Sequence, residues 1–299
     1  MDTTDRDMNL IKLVEQFSDE DACRAHLTEL RWPDGVKCLR CESDKVNGPS
    51  KRHLYECSEC GYQFSVKVGT VFNDSKLPLW KWFVATYLIC ESRKGISANQ
   101  LKRTLGVTYK TAWYLCHRIR SAMVDPNGEL LSGIVEVDET YIGGKVRGRG
   151  RGYRDNKTMV VGAIERGGKL RVRTAPNNSA KVLEGFIADT VADEAEAIYT
   201  DEWTGYRNIG DHDTRHETVA HGSDEYVRGQ VHTNTVESAW SLFDRAVMGS
   251  YHKLSVKHLP AYLAEFEFRF NNRENPYLFR DTLLKLIEGD TLTYRALTA

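Results

Sequence analysis

Apolar residues recur at helical spacing near the start of the chain. Leu10, Ile11, Leu13, Val14, Phe17 and Cys23 predict one or two short helices over residues 8–31, broken at Trp32-Pro33-Asp34-Gly35. The run Leu79–Ser92 is apolar on most faces and predicts a buried helix. After it Ser97 can cap a helix carrying Leu101 and Leu105, and Gly106 supplies a turn. Thr108 can cap again, and Ala112, Leu115 and Ile119 continue the apolar face. This is a helix-turn-helix pattern, with a plain helical hairpin as the alternative.

Past the turn chemistry of Asp125-Pro126-Asn127-Gly128 the period changes, and a new domain begins near Leu130. Residues 134–142 alternate, so Val135 and Val137 share one face of a strand and Glu136 and Asp138 the other. Residues 157–176 predict two strands joined at Gly167-Gly168, giving a three-stranded antiparallel start. A helix capped by Asn178 or Ser179 follows, then a short strand ending at Asp201, with Trp203, Gly205 and Tyr206 in a turn. A further short strand is predicted near Glu217–His221. Residues 232–249 then predict a helix with Asn234 as its cap, Val236, Ala239, Trp240 and Phe243 buried, and Glu237 in the first turn. Three strands, helix, strand, short strand and helix is the layout of an RNase H-like α/β domain. Residues 254–287 predict one or two core helices interrupted near Asn275-Pro276, with Arg269, Asn271, Asn272 and Arg273 as candidate DNA contacts.

Composition bounds this picture. A chain of 299 residues, 41 % hydrophobic, can form two or three compact units. It has no apolar run long enough to span a bilayer, and its N-terminus is acidic and polar, so the expectation is a cytoplasmic protein, nucleoid-associated, without a membrane partner. The net charge of -1 conceals segregation: residues 1–34 are mostly acidic, whereas Lys76–Met123 carries nine Lys or Arg and one acid, Glu91. That predicts a local basic surface.

Seven cysteines without a secretory signal do not suggest disulfides. Cys38, Cys41, Cys57 and Cys60 are spaced C-x2-C-x15-C-x2-C, which matches one tetrahedral structural zinc ion, and Gly61 closes the second knuckle. Four reduced buried thiols are the alternative; His53 can replace a cysteine, but the set is complete without it. The segment 62–72 reads as a closing strand, and Cys23, Cys90 and Cys116 as core residues.

Asp138, Asp201 and Glu237 each sit at a strand end or in a helix first turn without an adjacent cation. Taken singly, each is an ordinary acid among 42. Brought together, three carboxylates repel unless cations neutralise them, and oxygen ligands suit Mg²⁺ or Mn²⁺. Two such ions, roughly 4 Å apart, serve phosphodiester chemistry.

The segments "CLRC", "YECSECGYQFSVKVGTVF", "LPLWKWF", "VEVDETYIGGK", "YTDEWTGY" and "HTNTVESAWSLFDRAVMGSYHKLS" occur in this order. In them the chain resembles, over nearly its whole length, the DDE transposases of bacterial and archaeal insertion sequences, in the ISXO2-like subgroup with an N-terminal zinc ribbon. The resemblance implies Asp138, Asp201 and Glu237 as catalytic metal ligands for two Mg²⁺ or Mn²⁺ ions. It also implies binding of inverted repeats, cleavage to a 3′-hydroxyl and its transfer into target DNA, by at least a dimer. The domains expected are a helical segment 1–34, a zinc ribbon 35–73, a helix-turn-helix region 74–125 and an RNase H-like catalytic domain 130–290.

Around these acids, Glu136 is a candidate supporting residue, Glu139 points away, and His232 and Asn234 are candidates to position DNA or water. A surface histidine is the alternative at His232. Lys110, Arg118 and Arg120 are candidate DNA contacts on the second helix of the pair. In the run "KVRGRGRGYRDNK", Lys145, Arg147, Arg149, Arg151 and Arg154 are candidate phosphate contacts, with a solvated hairpin tip as the alternative. Two other functions fit the motifs: a transposase-derived DNA-binding regulator without catalysis, and an RNase H-like nuclease.

Overall fold

Both periodicities become elements. The computed structural model describes residues 6–126, 128–143, 157–206, 209, 214–219 and 227–299. Contacts divide the chain into two compact units, Met1–Met123 with Glu274–Ala299, and Val124–Arg273. The second domain expected from sequence extends to residue 290. The stretch from Glu274 instead belongs to the first unit, because its helix packs there.

In the first unit, α1 (Leu10–Gln16) is capped by Asn9 and α2 (Glu20–Arg31) by Asp19. Three short antiparallel strands follow, β1 (Val46–Asn47), β2 (Tyr55–Cys57) and β3 (Gln63–Phe64). The closing strand is two residues long, shorter than the predicted 62–72, since residues 65–72 run on as turns. Trp32, Tyr55 and Phe64 give this small sheet its own core. The predicted apolar helix is α3 (Leu79–Glu91), buried between α2 and α9 (Leu278–Glu288). Phe83 meets Phe17 edge-on with centroids 4.8 Å apart and Phe279 at 5.8 Å. Cys90 packs its thiol 3.2 Å from Thr282 Oγ1, and Cys23 is buried, its thiol pushed up to about 12 first by burial, so both are inert core groups.

Helix α4 (Ala98–Leu105) starts after Ser97 and stops at Gly106, and α5 (Tyr109–Ser121) starts after Thr108, as the capping pattern predicts. Ser97 and Thr108 each accept from a backbone N–H at 3.1 Å, and Gly106 ends α4 at φ 61°, a left-handed conformation that glycine adopts without a Cβ penalty. The short α10 (Tyr294–Thr298) completes this unit.

The second unit is a five-stranded mixed sheet, formed by β4 (Ile134–Ile142), β5 (Thr158–Glu165), β6 (Leu170–Ala175), β7 (Ala197–Asp201) and β8 (Arg215–Val219). Their spatial order is β6-β5-β4-β7-β8, antiparallel through the first three strands and parallel from β4 to β8. α6 (Ala180–Thr190) covers one face with Leu183 and Phe186 against Val135, Val137 and Val161. α7 (Asn234–Ala246) and α8 (Leu259–Asn271) cover the other with Trp240, Phe243 and Phe266 against Val160 and Ile164. The edge strand β6 is sealed by α8: Asn271 bonds the N–H and C=O of Leu170 at 2.7 and 2.9 Å, and Glu267 accepts from Val172 N at 2.9 Å. Asn271 is therefore a packing residue, and Arg269, 6 % exposed and paired with Glu265, is likewise interior; neither is the DNA contact predicted.

Candidate functional site

The alternation in β4 sorts its acids as the pleat requires. Glu136 and Asp138 face α7, and Glu139 faces the α6 side, where it accepts from Tyr206 Oη at 2.7 Å. β7 pairs in parallel with β4, Glu136 opposite Tyr199. The pairing ends there; the same register continued by two residues leads to Asp138 on β4 and Asp201 on β7, and Asp201 is near enough to act on the Asp138 carboxyl. Burial first, then the nearby carboxylates of Glu139 and Asp201, push Asp138 up to about 7, against a bond from Trp240 that favours its ionised form. Asp201 Oδ1 also accepts from Trp203 N at 3.0 Å, which folds the turn after β7.

Glu237 lies in the first turn of α7, exposed, its Oε1 accepting from Thr233 Oγ1 at 2.9 Å. Three residues on, Trp240 donates its indole N–H to Asp138 Oδ2 at 3.0 Å, so the face of α7 that bears Glu237 is tied to the middle of β4, where Asp138 sits rather than at the strand end expected. The oxygens of Asp138, Asp201 and Glu237 are not gathered at a single point. Among the described residues the four cysteines are the one group of three or more acidic, histidine or cysteine ligands with mutual distances within 4.8 Å.

Glu136 is fully buried and wholly committed. It accepts from Thr235 N at 2.7 Å, Thr235 Oγ1 at 2.8 Å and Val236 N at 3.1 Å, and pairs with Arg166 Nε at 2.7 Å. A buried carboxylate thus caps α7 from another strand, where the helix dipole favours it. The expected cap, Asn234, makes no capping bond; it is the first helical residue, and Thr233 holds the N-cap position. His232 is half-buried, with Nδ1 2.9 Å from Arg166 Nη2. The same nitrogen lies 3.2 Å from Glu136 Oε1, so His232 completes a Glu136–Arg166 cluster. Arg166 was not singled out from sequence; a basic residue directly after a strand gives no signal of its own.

On the α4–α5 pair, Lys110 is exposed, its Nζ 4.3 Å from the Tyr294 ring centroid. Arg118 and Arg120 are 4 % and 2 % exposed and cannot reach a ligand, which corrects their reading as DNA contacts. Arg118 donates to the backbone oxygens of Val71 and of Asn73, the latter at 2.7 Å, and lies over the Trp82 ring. It follows Leu115 by three residues, on the buried face, a signal the sequence carried. The exposed cations of the stretch Lys76–Met123 are Lys76, Arg93, Lys94, Lys102, Arg103 and Lys110; Lys76, Lys102 and Lys110 line one groove with Tyr109 and Tyr114. Lys145, Arg147, Arg149, Arg151 and Arg154 lie outside the described residues.

Cys38, Cys41, Cys57 and Cys60 meet at one end of the small sheet. Sγ of Cys38 and Cys60 are 3.6 Å apart, as are those of Cys41 and Cys57. A tetrahedron of Zn–S bonds of about 2.3 Å has edges of roughly 3.8 Å, so the donors fit one zinc ion with no position left open. Gly61, at φ 66°, turns the second knuckle, and His53 is outside the cluster.

Comparison with known proteins agrees with both parts. Residues 130–271 match the ISXO2-like transposase domain, and residues 18–63, with all four cysteines, match the transposase zinc-ribbon domain. A protein of transposable element ISH50 from Halobacterium salinarum is 31 % identical over 276 residues, covering 86 % of this chain and 92 % of that one. Two solved structures show a weaker likeness. A simian T-cell lymphotropic virus intasome with a PP2A regulatory subunit matches at TM-score 0.29, 13 % identity, 61 % of this chain and 67 % of that one. A pre-cleavage Mos1 transpososome matches at TM-score 0.25, 11 % identity, 70 % and 79 %. At such scores neither bears on the fold. Among the described residues no helix is long and apolar enough to cross a membrane.

Proposed function

The chain belongs to the ISXO2-like transposases, and from that premise we propose that it binds the ends of its own element, cuts DNA to a 3′-hydroxyl and joins that end to target DNA. The observation that carries the reading is the nearness of Asp138 and Asp201 on adjacent parallel strands, with the helix bearing Glu237 tied to Asp138. The sheet order, with β4 central, supports an RNase H-like catalytic domain starting near residue 130. The caps and the left-handed Gly106 support a helix-turn-helix within 74–125, which reads DNA through Lys110 and its exposed neighbours. Residues 35–73 form the ribbon, whose zinc holds the fold.

The acids fit a hard divalent cation. Asp138 is held near neutrality by burial and by the carboxylates beside it, and positive charge there restores its anionic form. Asp138, Asp201 and Glu237 would hold two Mg²⁺ or Mn²⁺ ions, which supply activation of the attacking oxygen and stabilisation of the leaving one. Glu136, its oxygens already engaged, orients α7, and Arg166 balances its charge. Joining two ends requires two copies, so the DNA-bound form is at least a dimer.

The test is an assay with Mg²⁺, labelled element ends and a target plasmid. Wild type should cut and join, and Asp138→Ala should bind ends but do neither. End binding without cleavage by either protein would make this a regulator; cleavage without joining would make it a nuclease.

A further inference from the structure

Trp240 is not one of the three acids, yet it is held against one of them. Its Nε1–H donates to Asp138 Oδ2 at 3.0 Å. The residue directly opposite Asp138 on β5 is Gly162, and a Cβ there would stand 2.6 Å from both Cη2 and Cζ2 of the indole. No larger residue fits at 162 while the ring stays where it is, so this glycine leaves a slot in a strand whose other core positions, Val160 and Ile164, carry branched side chains. The ring is 6 % exposed and packed among Val160, Phe243 and Leu263, so it has no room to turn.

A carboxylate on a strand, even mid-strand as Asp138 is in β4, rotates about its Cα–Cβ and Cβ–Cγ bonds unless something holds it. An indole is rigid and only donates, so its N–H holds one oxygen of the pair without competing as a ligand. Outer hydrogen-bond partners of this kind fix the direction of a metal ligand.

We propose that Trp240, seated in the slot left by Gly162, is a positioning residue: its N–H sets the rotation of the Asp138 carboxylate and so its strength as a divalent-ion ligand. This rests on the reading of Asp138 as a ligand given above. The same contact ties the position of α7, and with it Glu237, to the state of Asp138.

The experiment measures Mn²⁺ binding to the zinc-loaded full chain by the signal of the free ion in electron paramagnetic resonance. Thermal melts and binding to element ends are read in parallel. Trp240→Phe keeps an aromatic ring and removes the N–H; it should weaken Mn²⁺ binding about 10-fold while end binding stays at wild type. Gly162→Ala should do the same by displacing an intact tryptophan, which keeps the test open if Trp240→Phe folds poorly. Because Phe lacks the second ring that meets the new Cβ, the double variant should bind no more weakly than Trp240→Phe. Wild-type affinity in Trp240→Phe and Gly162→Ala, with loss in Asp138→Asn, would overturn the role of Trp240 alone. Wild-type affinity in Asp138→Asn as well would overturn it together with the reading of Asp138. Additive losses in the double variant would show that the two residues act separately and would also sink the proposal.

Discussion

At the scale of single residues, neighbours decide what an acid does. Glu136 and Asp138 are two positions apart on one face, yet Glu136 receives three donors from α7 and an arginine, whereas Asp138 receives an indole N–H and lies near the carboxylates of Glu139 and Asp201. The folded Asp138 binds its proton more tightly than the unfolded chain, from 3.8 up to about 7. Its contribution to stability is therefore complete below about pH 4 and is lost as pH rises through about 7, a penalty on the order of 3 kcal/mol at pH 8. In zinc-loaded protein without Mg²⁺, Asp138→Asn should melt higher than wild type at pH 8, and the gap should vanish near pH 4. Parallel melting curves at both pH values would contradict this. Glu136→Ala takes the carboxylate from a half-buried guanidinium and from two helix amides, and should destabilise by about 2–3 kcal/mol in denaturant titrations.

At the scale of elements, the α4–α5 pair separates cations that hold the fold from cations that face solvent. Arg118 bonds the backbone of residues 71–73 and stacks near Trp82, whereas Lys110 is exposed at the start of α5. Arg118→Ala should lower thermal stability with little change in end affinity for the folded fraction, and Lys110→Ala should weaken end binding about tenfold at unchanged stability. Melting curves beside gel-shift titrations read both; the opposite pattern would return Arg118 to the DNA surface. The pattern of α5 already hinted at the outcome, since Ala112, Leu115 and Ile119 define a face that Arg118 shares. A sequence reading that counts charge but not phase misses it. Asn271 was legible in neither way: its bonds to Leu170 join positions 101 residues apart.

For the whole molecule, the two units rest on different principles. The small sheet around the cysteines has strands of two or three residues and a core of a few aromatics, too little to hold without its metal. Removing zinc, or Cys38→Ser, should strip hydrogen-exchange protection from residues 37–64 and leave the strands β4–β8 protected. Loss of protection in both regions at once would show that the sheet of the second unit depends on the metal. That sheet carries apolar layers on both faces and needs no ion to close its core.

The sequence by itself determined most of the elements, though not the extent of β3 or the cap of α7, together with the zinc ligands and the face on which each β4 acid lies. Those follow from local rules: a period of two or of 3.6, a cap beside its helix, and four thiols at fixed spacing. Only the tertiary structure decided that Glu136 caps α7, that Asn271 seals β6, and that Trp240 reaches Asp138 across 102 positions of the chain. Such roles depend on which groups from distant segments arrive within about 3 Å, and on whether water is excluded when they do.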